Sequence, residues 1–356
     1  MVEGWAGHPG GRHHGAHGGV AARSLAVPER DLLDFSQNIN PFGTPGEALE
    51  AAQRALREET GRYPDLGYPQ LREALAGYLG VSPEKIVPTN GGAEALFLAA
   101  RGARRANKAL ILEPTFSEYA AAARAAGLEP MRRVARRPED GFRLDPAALE
   151  DLEGVGLVFL CNPNNPTGDA LNRAEVLEVA DRVLERDGVL VVDEAFADFA
   201  PGTSVAAQAG DGLYVARSFT KFFAMPGLRL GCLVCADPGR ILEFQPSWPV
   251  NAVAAAAGAA AVRDRDFADA SVPNVSRLRE ELFEALEALP GLTPFPGAAN
   301  FLLVRGSAGL SERLARRKVL VRGCEPFLGL GSEYFRVAVR GRAENERLVA
   351  EIREEL

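Results

Sequence analysis

From residue 85 onward, short and nearly continuous apolar runs alternate with amphipathic or Ala-rich stretches. The runs are Ile86–Thr89, Ala109–Leu112, Val155–Cys161, Val189–Asp193, Leu213–Ala216 and Leu230–Cys235. Runs this short and this apolar predict strands buried on both faces, since a half-exposed strand would alternate polar and apolar residues. Helical spacing falls between them at Ala93–Arg101, Ser117–Ala126, Arg173–Arg186 and Thr203–Ala209. Strands separated by helices predict an α/β fold whose mainly parallel sheet is covered on both faces. In such sheets ligands gather at the carboxyl ends of the strands. Polar motifs follow those ends here: Asn90-Gly91-Gly92, Cys161 to Asn165, Asp193-Glu194 and Ser218.

The flanks read differently. Upstream, apolar residues at helical spacing (Ala48, Leu49, Ala52, Leu56) predict a helix over Gly46–Glu58, and a second is expected over Pro69–Leu79. The Asn-, Pro- and Gly-bearing stretch Ser36–Gly43 and the stretch Arg62–Tyr68 predict loops. Downstream of Trp248 an Ala-rich helix is expected over Ala252–Arg265 and a charged one over Asn274–Leu289. Strands Phe301–Arg305, Val319–Arg322 and Phe335–Val339 and a closing helix from about Ala343 should follow. The expected division is a Gly/His-rich disordered tail (1–16), an N-terminal segment (17–45), a large domain (46–245) and a smaller α+β domain (246–356).

Composition narrows the function. The 356 residues are 47% hydrophobic and 25% charged, ordinary for a globular protein, and the net charge of −8 argues against a nucleic-acid surface. An anionic ligand must then be captured by a local cluster of arginines. Cys232 and Cys235 have the spacing of a redox or zinc pair, but three residues apart on a strand they point to opposite faces. Buried reduced cysteines and a cytoplasmic location are expected. The first nineteen residues hold all four histidines (His8, His13, His14, His17) but no apolar core of a signal peptide, and no metal site is expected. The uncharged stretch Phe244–Val262 is interrupted by Pro246, Pro249, Gln245 and Asn251, which argues against a membrane span.

One lysine stands out. Among the 40 Lys and Arg residues only Lys85, Lys108, Lys221 and Lys318 are lysines. Lys221 alone lies in an apolar setting, between hydroxyl residues and Phe222-Phe223. A partly desolvated ammonium has a lowered pKa and is a usable nucleophile towards carbonyls. Ser218 three residues before it and Arg229 eight after it supply donors for a phosphate. Lysine plus phosphate clamp points to pyridoxal phosphate; a surface lysine beside a core strand stays open on this segment alone. That cofactor also needs a carboxylate for its ring nitrogen and packing for its ring. Asp193 at a strand end can supply the first, although a helix cap is the plainer use of such a residue. Gly92 and Ala93 open a helix whose N–H groups can take phosphate, and Asn165 can bond the ring hydroxyl.

Taken together, Asn162-Pro-Asn-Asn-Pro-Thr-Gly168, Asp193-Glu-Ala-Phe196 and Ser218-Phe-Thr-Lys221 with Pro226-Gly-Leu-Arg229-Leu-Gly231 resemble the class I/II aminotransferase signatures of fold-type I pyridoxal phosphate enzymes. The resemblance covers Leu32 to the C-terminus. It implies that fold, catalytic roles for Lys221 and Asp193, and a homodimer with sites at the interface. It further implies Tyr63 reaching the cofactor phosphate of the other subunit, Phe116 stacked on the ring, and Arg336 on the substrate carboxylate.

Two branches of that family fit. Histidinol-phosphate aminotransferases share Arg62-Tyr-Pro-Asp65 but carry Tyr where this chain has Phe196. Threonine-phosphate decarboxylases of cobalamin biosynthesis share His17-Gly18-Gly19, Leu32–Pro41, Asp193–Phe196, Val321–Cys324 and Tyr334–Arg340. The second resemblance implies that His17, Gly18, Asn38, Asn165, Arg322 and Arg336 contact a phosphorylated amino acid. The expected reaction is decarboxylation of L-threonine O-3-phosphate, with amino transfer as the alternative. In this branch the carboxylate is the group held perpendicular to the cofactor ring. Ala93 lacks the hydroxyl that relatives place nearby, and Val20 replaces a commoner polar residue. A transcriptional regulator would need a basic helix-turn-helix module, for which the short N-terminus leaves no room.

Overall fold

The computed structural model describes residues 18–102 and 107–356; the expectations for His17 and the tail before it lie outside the described residues. Seven strands form the main sheet: β1 (Ile86–Asn90), β2 (Lys108–Glu113), β3 (Glu129–Val134), β4 (Val155–Cys161), β5 (Val189–Asp193), β6 (Leu213–Ser218) and β7 (Leu230–Val234). Their order across the sheet is β1-β7-β6-β5-β4-β2-β3. Only β7 runs against its neighbours, pairing antiparallel with both β1 and β6. The sheet is mainly parallel, as the apolar runs imply.

Successive residues of a buried strand serve two cores. In β5, Leu190 and Val192 face one apolar cluster and Val189 and Val191 the other. The same alternation separates Cys232 from Cys235, and all four cysteines are buried and free. No cluster of potential metal ligands occurs among the described residues. Nor is any described helix long and apolar enough to cross a membrane: within Phe244–Val262 the helix is only Ala252–Ala261.

Several expectations need correction. Edge strand β3 was not expected, because Glu-Pro-Met-Arg-Arg-Val is polar and only half-buried. Thr203–Ala209 contains just one short 3-10 turn at Ala206–Gln208. The expected helix over Ala252–Arg265 ends at Ala261, and the charged helix begins at Arg265, nine residues early, running to Glu287 through Pro273. Asp264 caps it by accepting from the Phe267 N–H at 2.9 Å. Val319–Arg322 serves two sheets: Val319–Leu320 pairs in parallel with Leu33–Asp34, and Arg322–Gly323 pairs with Tyr334–Ala338. A further strand, Thr293–Phe295, and a helix at Gly18–Leu25 were also unforeseen.

The segment Leu33–Asp34 thereby ties the N-terminal region to a second, four-stranded sheet built from Thr293–Phe295, Phe301–Arg305, Arg322–Gly323 and Tyr334–Ala338. Its arginines face the carboxyl ends of the main sheet across a cleft.

Candidate active site

The carboxyl ends of β1, β4, β5 and β6 open into a cleft of about 490 Å³, a size suited to a small organic ligand. At one end of it the β6–β7 hairpin decides the geometry. Its loop carries Lys221, and its return strand pairs Gly231 with Ser218 and Leu230 with Asn90. Arg229 is thus brought back beside Ser218 and the Gly91-Gly92 turn that opens the Gly91–Gly102 helix. The approach is close enough to exclude side chains. A Cβ on Gly231 would lie 2.5 Å from the Gly91 carbonyl carbon, and one on Gly91, at φ +77°, 2.7 Å from Arg229 Nη2. A Cβ on Gly92 would meet Ser218 Cβ at 3.1 Å. Backbone N–H groups, a hydroxyl and a guanidinium converge on one spot, a cradle suited to a phosphate. Ser218 and Thr220 share a hydroxyl–hydroxyl bond of 2.8 Å there.

In the middle of the cleft Asp193 ends β5. Its Oδ1 accepts from the Ala195 N–H at 3.0 Å and its Oδ2 from the Tyr119 hydroxyl at 2.8 Å. Burial pushes its pKa up to about 6 against those two donors. Burial pushes Lys221 the other way, down to about 8, helped by the positive charges of Arg336 and Arg229. Phe116, Cys161 and Phe196 complete the walls here. These residues fit pyridoxal phosphate: a phosphate cradle, a carboxylate, a flat aromatic wall and a depressed lysine, in the order that molecule requires.

The far wall belongs to the second sheet. Arg322 and Arg336 are directly opposed across an antiparallel pair, an arrangement that places like charges side by side and costs stability without an anion. The Arg336 guanidinium donates to Asn165 Oδ1 and, at 2.9 Å, to the Ser36 carbonyl, and lies 5.3 Å from the centre of the Phe301 ring. Burial lowers its pKa to about 10, and burial lowers that of Arg322 as well. Asn38 also lines the cleft, 3% exposed, and neither its Oδ1 nor its Nδ2 has a partner among the described residues. Buried amides are rarely left so; a polar ligand would satisfy it.

The structure therefore brings Asn38, Gly92, Ala93, Phe116, Asn165, Asp193, Ser218, Lys221, Arg229, Arg322 and Arg336 to one cleft. Two expected residues stand elsewhere. Gly18 is buried in the Gly18–Leu25 helix, where a Cβ would meet Glu29 Oε1 at 2.7 Å. Tyr63 is 77% exposed, stacked on Trp248 at 4.5 Å, outside the cleft lining. Sequence reasoning passed over Gln37, Tyr119, Thr220 and Phe327. None of them carried a signal in the sequence, Tyr119 least of all, since it reads as a core aromatic of an Ala-rich helix.

The family model for aminotransferases of class I and II matches residues 30–352. The chain belongs to that family. Within it, this aminotransferase-family chain is 40% identical to a threonine-phosphate decarboxylase of Salmonella typhimurium, over 95% of its own length and 96% of that protein's. Among solved structures it resembles a histidinol-phosphate aminotransferase of Clostridium acetobutylicum (27% identity, TM-score 0.84, 91% of this chain and 99% of that one). It also resembles an L-threonine-O-3-phosphate decarboxylase of Porphyromonas gingivalis (25% identity, TM-score 0.80, 90% and 98%). The family's fold-type I architecture, a mostly parallel central sheet flanked by helices, is the one seen here.

Proposed function

We propose that this chain is a pyridoxal phosphate-dependent decarboxylase that converts L-threonine O-3-phosphate to (R)-1-amino-2-propanol O-2-phosphate, a step of cobalamin biosynthesis. The observation that carries the reading is the opposed pair Arg322 and Arg336 on one wall of the cleft. Two guanidiniums suit a substrate with two anionic groups, and the relative named for this reaction supports the choice.

Ser218, Arg229 and the N–H groups at Gly92 and Ala93 would hold the cofactor's phosphate. Asp193 would serve its ring nitrogen, Asn165 its ring hydroxyl and Phe116 its ring face, and Lys221 is the amine that would hold its aldehyde. Bound there, pyridoxal phosphate supplies an electron sink for the pair left on the substrate Cα when carbon dioxide departs. Arg336, anchored by Asn165 and Ser36, takes the carboxylate, and Arg322 takes the phosphate, with Asn38 alongside. A charge-assisted contact is worth about 1.5–3 kcal/mol, so each arginine biases the substrate's orientation by tenfold or more. Phe196, edge-on to Phe301 at 5.0 Å, presents no hydroxyl to the site. Lys221 Nζ, whose lowered pKa leaves it able to give and take a proton near neutrality, returns a proton to Cα.

Carbon dioxide release from threonine phosphate, measured beside 2-oxoglutarate-dependent amino transfer, tests the reading. Release of carbon dioxide without a keto acid is expected. Keto-acid-dependent turnover without carbon dioxide would instead favour a histidinol-phosphate or related aminotransferase, the reading to which the 0.84 TM-score and the shared Arg62–Asp65 stretch lend support.

The proposal includes a homodimer in which Tyr63 reaches the other subunit's cofactor phosphate. Leu49, Leu56 and Leu66 are each more than half exposed near Tyr63 in the chain, apolar surface of the kind that subunit contacts cover. Free, buried cysteines support a cytoplasmic location.

A further inference from the structure

Asp193 has a partner that the proposed chemistry leaves unused. Tyr119 sits in the Glu118–Ala125 helix, fully buried, with its ring stacked on Phe159 of β4 at 5.0 Å and Phe116 edge-on at 5.8 Å. The hydroxyl, with the Cys161 thiol beside it, donates to Asp193 Oδ2 at 2.8 Å. Tyrosine hydroxyls buried among aromatic rings are placed by such contacts. With the Ala195 N–H on Oδ1, each carboxylate oxygen has one donor, and Asp193 lines the cleft.

We propose that Tyr119 is a positioning residue: its hydroxyl holds the Asp193 carboxylate in its anionic form and in one orientation towards the cofactor ring. The other charged and titratable groups around Asp193 are Cys161 on β4, Glu194 after β5, Arg217 on β6 and Lys221 in the hairpin loop. Beyond Tyr119 lies the buried Arg136, which donates to the Leu112 carbonyl at 3.0 Å and faces Asp169. Arg217 is already bound to Glu194, at 2.8 Å, and to Asp198. Cys161 is a neutral thiol, its pKa raised to about 12 by burial. Among the side chains of the described residues, Tyr119 is left as the donor to Asp193. The tyrosine itself stays protonated, since burial and the neighbouring carboxylate both raise its pKa. Its hydrogen therefore stays on the bond across the working pH range.

The inference rests on Asp193 facing the cofactor ring, but its first readout uses cofactor-free protein and is indifferent to which substrate bond breaks. The Asp193 carboxyl is followed by carbon NMR on Asp-labelled protein, assigned with Asp193→Asn. In Tyr119→Phe, which keeps the ring and removes only the hydroxyl, the midpoint is expected to rise by about one to two pH units, the worth of a hydrogen bond to a charged acceptor. Replacing the tyrosines with 3-fluorotyrosine makes the phenol a stronger donor and should move the midpoint down; this arm decides the matter if Tyr119→Phe does not fold. In the holoenzyme Tyr119→Phe should bind pyridoxal phosphate about tenfold more weakly and lose kcat more than KM. A midpoint unmoved by either change, with cofactor affinity intact, overturns the proposal even if decarboxylation is confirmed. Opposite shifts in the two arms support it even if the enzyme proves to be an aminotransferase.

Discussion

At the scale of single residues, Lys221 carries a measurable electrostatic cost. Its pKa falls from 10.5 to about 8, first through burial and then through Arg336 and Arg229. A lysine that releases its proton more readily when folded destabilises the fold wherever it is charged. Between those two values the unfolded chain holds more protons, so stability rises with pH across that window. In cofactor-free protein Lys221→Met should therefore stabilise at pH 7 by on the order of 3 kcal/mol. The gain should shrink as the pH climbs from 8 towards 10.5 in urea titrations. A gain independent of pH would mean that the amine is not desolvated. This lysine was legible because its neighbours are apolar and the chain has so few others. Tyr119 was not, since an aromatic in an Ala-rich helix looks like any core residue until its hydroxyl has a partner.

At the scale of elements, the β6–β7 hairpin and the Gly91–Gly102 helix matter most. The cradle exists because β7 turns back against the parallel sheet and returns Arg229 to Ser218. Gly231 makes this possible: the backbone of Gly91 and Gly92 and the Arg217 carbonyl occupy the space a side chain would need, at 2.5–2.7 Å. Gly231→Ala should cost about 1–3 kcal/mol of stability, the ordinary penalty for overpacking. It should also weaken pyridoxal phosphate binding, read by equilibrium titration alongside the urea midpoint. A cofactor affinity equal to wild type would argue against the cradle. Apolar runs revealed six of the seven main strands because burial on both faces leaves a continuous signature. The seventh, β3, lies at an edge, where solvent permits Glu and Arg. The stretch Arg265–Pro273 of the charged helix was missed for a different reason. Proline opposes a helix interior locally, but buried Val275, Leu278, Leu282 and Leu286 hold the turns that follow it.

At the scale of the whole molecule, the cleft joins residues from both sheets, so ligand binding should be felt globally. A ligand that binds only the folded state stabilises it according to its concentration over Kd. Pyridoxal phosphate should raise the melting temperature, and threonine phosphate should raise that of the holoenzyme further. Arg322→Ala should remove the second increment and the preference for threonine phosphate over threonine, while Arg336→Ala should abolish turnover with both. If Arg322→Ala keeps its selectivity for the phosphate ester, the assignment of the two anionic groups is wrong. The proposed homodimer predicts a solution mass of twice 38.0 kDa, and a Tyr63→Phe variant with the mass of wild type but weaker cofactor binding. A monomer that binds the cofactor normally would remove Tyr63 from the site.

The sequence by itself determined six of the seven main strands, the motifs at their ends and the family, because each is encoded in stretches of a few residues whose burial and chemistry are local. Asp193, Asn165, Ser218, Lys221 and Arg229 could be named from such stretches. What only the tertiary structure decided is which distant groups meet. Arg322 opposes Arg336 because two strands pair. Tyr119 reaches Asp193 across 74 positions, and Arg336 reaches the Ser36 carbonyl across 300. Those contacts depend on register and packing between elements, which no short stretch of chain contains.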